Sequence, residues 1–408
     1  METKKYDIII VGGGPAGAAC AIKLSDKGLK VALIDKGVFP RDKTCGDALS
    51  TDVINQLPML SEKLAESFKG LAEKIPSYGV KIFSPDNNFI DIPFIYKNQK
   101  SHGYICKRIH FDNFLFQFVK SNTNIDTFED YTVHKVVDNG NEIEVTTDKE
   151  IFTGKIVVGA DGAHSIVSKN LSDLKVEKDH YSAGLRVYYE GVTSFHTENF
   201  IELYFFNDVL PGYLWVFPLH GNQANIGLGM LSSEVSKKKV NLKETLNRII
   251  STQPVLKERF ANAKPLETIK GYGLPLGSKQ RNISGEKYLL LGDAASMIDP
   301  FSGEGIGNAI RCGRVAADHL LNCFEKKNYS APFNKAYDKE IYRRMWSELK
   351  VSRTLQRLLK YPWLYNLIVR KANKNKYLRQ FLVEALASVD TKRKMFTRPW
   401  FYLRVLFG

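Results

Sequence analysis

Gly12, Gly14 and Gly17 stand in the segment Gly12-Gly13-Gly14-Pro15-Ala16-Gly17, directly after an apolar run at residues 6–11. The first glycine of such a set permits a tight turn at the end of a strand. The second lets a pyrophosphate approach the backbone, and the third lets the following helix pack close to the strand. The helix N-terminus then offers amide donors to the phosphates. Asp35 closes the next apolar run, residues 29–35, where its carboxylate can accept both hydroxyls of an adenosine ribose. A glycine turn alone occurs in many loops that hold nothing. A strand before it, a helix after it and an acid at the next strand's tip make a dinucleotide cradle the better reading.

The glycine set does not by itself separate one dinucleotide from another. Gly159-Ala160-Asp161-Gly162 with Ser165, and Gly292-Asp293-Ala294-Ala295 followed by Asp299-Pro300 and Gly303-Glu304-Gly305-Ile306, resemble the paired signatures of flavoproteins of the para-hydroxybenzoate hydroxylase class. That resemblance implies FAD as cofactor. An acid after a buried strand can hold ribityl hydroxyls, and a glycine-rich helix start offers amides to the pyrimidine end of the ring. Arg108, ahead of Phe111-Asp112, matches the arginine that approaches the cofactor from the crossover helix of that class.

Two further motifs narrow the branch. Arg41-Asp42-Lys43-Thr44-Cys45-Gly46 is similar to the R-x-K-x-C-G loop of the geranylgeranyl reductase family, and Tyr213-Leu214-Trp215-Val216-Phe217-Pro218 to its Y-x-W-x-F-P motif. The fuller family pattern has a proline three residues before the tyrosine; here Leu210 stands there and Pro211 follows. The resemblance implies cofactor contacts at Gly12, Gly14, Pro15, Ala16, Gly17, Asp35, Arg41, Cys45, Gly46, Ala48, Arg108, Val133, Asp161, Asp293, Gly303, Gly305 and Ile306. It implies a substrate wall at Tyr213, Trp215 and Phe217, with Tyr213 and Cys45 as candidate catalytic groups. Alternation with period two also makes the three aromatics one face of a buried strand, and both readings can hold together. An aromatic wall suits an isoprenoid chain, which offers methyls and π-bonds but few hydrogen bonds. Flavin halogenases carry a related W-x-W-x-I-P motif, and Tyr213 and Phe217 depart from it. Cys45 reads either as a small filler against the ring or as a proton relay.

The elements that must position these groups follow from pattern. Residues 6–11, the helical spacing of 16–27 with Gly28 after it, and residues 29–35 form one βαβ unit. Residues 133–158 read as a three-stranded antiparallel meander with turns at Asp138-Asn139-Gly140 and Thr147-Asp148-Lys149. Residues 181–231 alternate as antiparallel sheet. Residues 287–291 are another buried strand, and a long helix runs over 303–321. From Tyr337 onward the pattern is helical, with breaks at Pro362 and Pro399.

The chain of 408 residues is 44% hydrophobic and 25% charged, an ordinary globular composition. The start Met1-Glu2-Thr3-Lys4-Lys5 predicts no secretory leader, and the absence of a run of ~18 apolar residues predicts no membrane span. Five scattered cysteines, none in a CxxC pair, point to a reducing cytoplasm rather than to disulfides or zinc. The eight histidines are dispersed, so no metal site is expected, and no G-x-S-x-G elbow is present. A second GxGxxG unit is likewise missing, so NAD(P)H as reductant is expected to bind transiently, or else a ferredoxin-like donor serves.

The net charge of +14 is uneven: residues 341–408 hold 16 of the 58 Lys/Arg and 3 of the 44 Asp/Glu. Aromatics mixed with cations at residues 361–371 and 395–407 suit the headgroup region of an anionic membrane, or else form a helical subdomain with a solvated basic face. No nucleic-acid module is seen.

The expected fold is α/β (α+β overall). It combines a Rossmann-like FAD-binding domain in three layers with a parallel sheet (1–75, 101–170, 281–325), an antiparallel-sheet substrate domain (76–100, 171–280) and basic C-terminal helices (326–408). The expected enzyme is a cytoplasmic FAD-dependent oxidoreductase, peripheral on the inner face of the membrane. It saturates C=C bonds of a small lipophilic, isoprenoid-like substrate by hydride transfer from reduced flavin. The alternatives are a monooxygenase of an aromatic or quinone ring and a non-catalytic flavin redox sensor. The sequence leaves the oligomeric state open.

Overall fold

The computed structural model describes residues 2–96 and 99–375. A six-stranded sheet runs in the order Asp126–Glu129, Val31–Asp35, Ile8–Val11, Ile156–Gly159, Tyr288–Leu290, Ser284–Gly285, with the first five strands parallel. All four residues of Ile8–Val11 and of Ile156–Gly159 are buried, which is why these strands read as unbroken apolar runs. Helix Pro15–Leu24 packs against Arg108–Asn122 and Ile306–Lys326. A Cβ on Gly313 would lie 2.4 Å from the Ala16 carbonyl oxygen, so only glycine allows that helix pair its spacing.

The meander Val133–Asp138, Ile143–Thr147 and Ile151–Gly154 is antiparallel, and Thr3–Lys5 adds to its edge in parallel. Ile9, Phe116, Val145 and Phe152 share one core. Helices, parallel sheet and meander therefore form three layers of an α/β fold.

The large sheet runs Lys264–Pro265, Tyr181–Glu190, Gln223–Leu231, Tyr213–Leu219, Ile201–Tyr204, Gly79–Phe83, Phe89–Pro93, with Lys270–Pro275 also on Tyr181–Glu190. It is not wholly antiparallel as expected, because Ile201–Tyr204 pairs in parallel with Gly79–Phe83. The chain between them is long enough to return to the same end, which a parallel pair requires.

Several boundaries differ from the pattern reading. The first helix ends at Leu24, because Asp26 turns to φ +58° and Gly28 to φ +72° beyond it. The long helix is Ile306–Lys326, preceded by a turn in which Gly303 has φ +73°. Helices Ala331–Leu358 and Pro362–Lys374 follow, with Pro362 in the first turn, where its missing N–H costs nothing. Pro399 and residues 395–407 lie outside the described residues. No helix among the described residues is long and apolar enough to cross a membrane.

Candidate active site

Both ends of the glycine segment are sterically locked. Gly12 has φ +105°, and a Cβ there would meet the Ala160 carbonyl oxygen at 2.3 Å. A Cβ on Gly17 would lie 1.9 Å from the Gly12 oxygen. Gly14 is the extended residue before Pro15–Leu24, so the amides of the first helical turn face the space above it.

A cavity of about 800 Å³ opens there. Every candidate residue from the sequence lines it except Gly17, whose place is the helix–strand contact. The glycine turn, the Arg41–Gly46 loop, Arg108, Asp161, Asp293, the Gly303–Gly305 turn and the aromatic strand thus meet in one space. Among the described residues no group of acids, histidines and cysteines has the geometry of a metal site.

The carboxylates differ in how they are held. Asp35 accepts the Gly13 N–H at 2.7 Å and the Gly37 N–H at 2.9 Å. Its two oxygens also accept from Arg41 Nε at 3.0 Å and Arg41 Nη2 at 2.9 Å. Arg41 therefore covers the acid that the sequence assigns to a ribose. Asp161 spends Oδ2 on the Ile166 N–H at 2.7 Å, at the start of helix Ile166–Leu171. Its Oδ1 is buried without a hydrogen-bond partner among the described residues. Burial pushes the Asp161 carboxyl up, against the hydrogen bonds from Ser165 and from three backbone amides, its own and those of Ile166 and Val167. A hydroxyl donor brought by a bound group would satisfy that oxygen. Asp293 faces Lys43 Nζ at 3.7 Å, and Lys43 also lies 4.0 Å from the Tyr272 ring centre. Arg108 is buried and donates twice to Asp112, at 2.6 and 2.8 Å. Burial works against its charge, but Asp112 and Cys45 outweigh burial and the guanidinium is raised.

The aromatic wall is built from strand pairing. Trp215 opposes Gly227 and Tyr213 opposes Gly229. A Cβ on Gly227 would lie 2.0 Å from the indole ring, so the glycine makes room for Trp215 across the strand. A Cβ on Gly46 would meet the Phe217 ring at 2.9 Å, which places the Cys45-Gly46 loop against the wall. The Tyr213 hydroxyl donates to the Ser302 carbonyl on the opposite rim. Burial, then the charges of Asp299 and Glu304, raise the phenol, so Tyr213 keeps its proton. Glu304 rises to about 7: burial drives it, and Asp52 and Asp299 add to it against hydrogen bonds from Gly307 N–H and Ser50.

Sequence reasoning missed the groups that hold the loop. Asp47 is fully buried and accepts from the Tyr188 hydroxyl at 2.6 Å, the Asn225 amide at 2.7 Å and the Arg108 N–H at 3.2 Å. Asn225 also donates to the Cys45 carbonyl at 2.8 Å and accepts from Trp215 Nε1 at 2.9 Å. Arg186, with a side chain 0% exposed, pairs with Asp42 at 2.7 Å and with Glu267. The loop is thus gripped at Arg41, Asp42, the Cys45 carbonyl and Asp47. A polar Asn225 inside the apolar strand Gln223–Leu231 was the available signal.

A glycine-turn cradle on a parallel strand, with an acid at the next strand's tip and a second glycine-rich turn facing it, defines a dinucleotide-binding enzyme. The family model described as FAD binding domain matches residues 5–325, and the chain belongs to that family. It is an FAD-dependent oxidoreductase of the geranylgeranyl-reductase-like kind. The digeranylgeranylglycerophospholipid reductase of Methanococcus vannielii is 30% identical over 87% of this chain and 88% of its own length. The menaquinone reductase of Mycobacterium tuberculosis is 28% identical over 77% of this chain and 76% of its own. Among solved structures, a geranylgeranyl bacteriochlorophyll reductase-like protein from Thermoplasma acidophilum has the same fold, with TM-score 0.78, 22% identity and 99% coverage of both chains. A flavin-dependent brominase shares the fold at TM-score 0.75, 21% identity and 94% coverage of both.

Proposed function

We propose that this enzyme saturates C=C bonds in an isoprenoid or other lipid-like chain. The observation that carries the reading is the Tyr213, Trp215 and Phe217 wall, placed in the same cavity as the glycine cradle. The relatives named as reductases of digeranylgeranylglycerophospholipid and of menaquinone support it.

The residues present fit FAD. Gly12 and Gly17 leave a cradle that a Cβ would fill, and Asp161 Oδ1 awaits a donor. The first-turn amides after Gly14 would meet the pyrophosphate, the paired Asp35 and Arg41 the adenosine end, and the Gly303–Gly305 turn the ring. When bound and reduced, FAD supplies the hydride. The aromatic wall holds the alkene and excludes water. Tyr213, kept protonated, can supply the proton to the other carbon, and Cys45 closes the floor beside Gly46. Reduction would come from NAD(P)H or a ferredoxin-like donor. Residues 1–75, 101–170 and 281–325 form the cofactor domain in this reading, residues 76–100 and 171–280 the substrate domain, and 326–408 the basic C-terminal region. Exposed Tyr361 and Trp363, 55% and 66% accessible, support contact of that region with an anionic membrane at the cytoplasmic face.

Anaerobic turnover tests the function. With dithionite-reduced enzyme and a geranylgeranylated lipid, the product should gain two mass units per reduced bond without oxygen. Product that appears only with oxygen and gains an oxygen atom would replace this reading with a monooxygenase.

A further inference from the structure

A second cavity, of about 300 Å³, lies apart from the flavin site. Helix Ala331–Leu358 and the residues just after it give it Arg353, Gln356, Arg357 and Lys360. Asp179, His180, Pro211 and Leu231 complete its lining. Leu231 packs on Leu276 and Ile298, and Ile298 lines the large cavity, so a layer of apolar side chains separates the two spaces.

The charges in this cavity are poorly compensated. Arg353 Nε is buried with no hydrogen-bond acceptor among the described residues, and its Nη1 reaches only the neutral Gln356. Burial lowers the Arg353 guanidinium, and the charge of Arg357 lowers it further, against the pull of Asp179. Burial also lowers the His180 imidazole, followed by the charges of Arg353 and Arg281. Lys360 is matched by Glu234 at 2.8 Å, and Glu177 serves Lys279 and Arg281. Asp179 is the acid that lines the cavity itself. A buried donor without an acceptor, beside a second guanidinium, asks for an anion with several acceptor oxygens. Guanidinium forks match phosphate in particular. The cavity is too small for the cofactor and large enough for a phosphate with its first ester carbons. Exposed Tyr361 and Trp363 continue the chain directly from Lys360, so the rim can meet lipid.

We propose that the cavity formed by Arg353, Arg357 and His180 is a binding site for a phosphate group, carried by a phospholipid headgroup or by free phosphate. This site does not depend on alkene reduction. A chain that binds phosphate here but reduces no alkene would sink the earlier reading and leave this one standing.

The test uses the full-length, FAD-loaded enzyme, so that the glycine cradle is already filled. Calorimetric titrations with inorganic phosphate and with monomeric dihexanoyl phosphatidylglycerol are compared between wild type and the R353Q and R357Q variants. FAD content and thermal midpoint control for folding. Saturable binding that weakens by about tenfold or more in each variant supports the site. Binding of the lipid alone assigns it to a headgroup, and binding of inorganic phosphate as well assigns it to phosphate in general. If wild type binds neither ligand, or if either variant binds as wild type does, the proposal fails.

Discussion

Asn225 donates to the carboxylate of Asp47 at 2.7 Å, a contact between residues 178 positions apart that joins the large sheet to the residue following the Arg41–Gly46 loop. The same side chain holds the Cys45 carbonyl and the Trp215 indole. One buried amide therefore sets the distance between the floor of the cavity and its aromatic wall.

Replacing Asn225 with Leu leaves an indole N–H and the Cys45 carbonyl without their partner, and takes from the Asp47 carboxylate one of its three donors. Unsatisfied buried groups of this kind cost roughly 3 kcal/mol in total. Urea unfolding of the variant should show a clearly lower midpoint with an unchanged slope. An unchanged midpoint would mean that water replaces the amide at no cost.

The buried Asp47 carboxyl rises to about 6 from 3.8, driven by burial against hydrogen bonds from Tyr188 and Asn225. A carboxyl raised in the folded state keeps its proton where the unfolded chain has lost it. Its contribution to stability is present below the unfolded value, falls as pH climbs from about 4 to 6, and is flat above. A rise of that size corresponds to on the order of 3 kcal/mol. The melting temperature of wild type should decline across that window relative to Asp47→Asn, which lacks the titration. Parallel profiles would refute the assignment.

Gly17→Ala forces a Cβ into the Gly12 carbonyl, 1.9 Å away. The variant should lose bound FAD on purification, read from absorbance at the flavin maximum. Gly28→Ala meets nothing within 4 Å and strains only its positive φ. That change should cost about 1 kcal/mol and keep the flavin. Equal flavin loss in both would show general unfolding rather than a broken cradle.

Tyr213→Phe removes the phenol that bridges to Ser302. With FAD content unchanged, anaerobic reduction of a prenylated lipid should slow by roughly a hundredfold or more, the range for loss of a positioned proton donor. A rate equal to wild type would take Tyr213 out of proton delivery and leave it as wall.

Local features of the parallel sheet and its glycine turns were legible in the sequence. Ile8–Val11 and Ile156–Gly159 are buried on both faces, so each carries its own signal, and the glycines sit where the backbone demands them. Strand partners were harder to read. The parallel pairing of Ile201–Tyr204 with Gly79–Phe83 depends on a long return of the chain that no local pattern encodes. Asp47, Tyr188 and Asn225 escaped notice for the same reason, since each is an ordinary polar residue until the fold brings the three together. Tyr213, Trp215 and Phe217 were visible because their period matches the strand; their glycine partners at 227 and 229 emerge only with the register.

The strand order also has a consequence for how the protein is made. Ile156–Gly159 needs Ile8–Val11 on one side and Tyr288–Leu290 on the other. During synthesis the second partner leaves the ribosome only after the whole large sheet has been made. Until then the growing chain presents an open apolar edge, and the turn at Gly303–Gly305 does not yet exist. Capture of the flavin is therefore a late event in the life of the nascent chain. Fragments that stop short of residue 288 should depend on chaperones rather than on cofactor for their solubility.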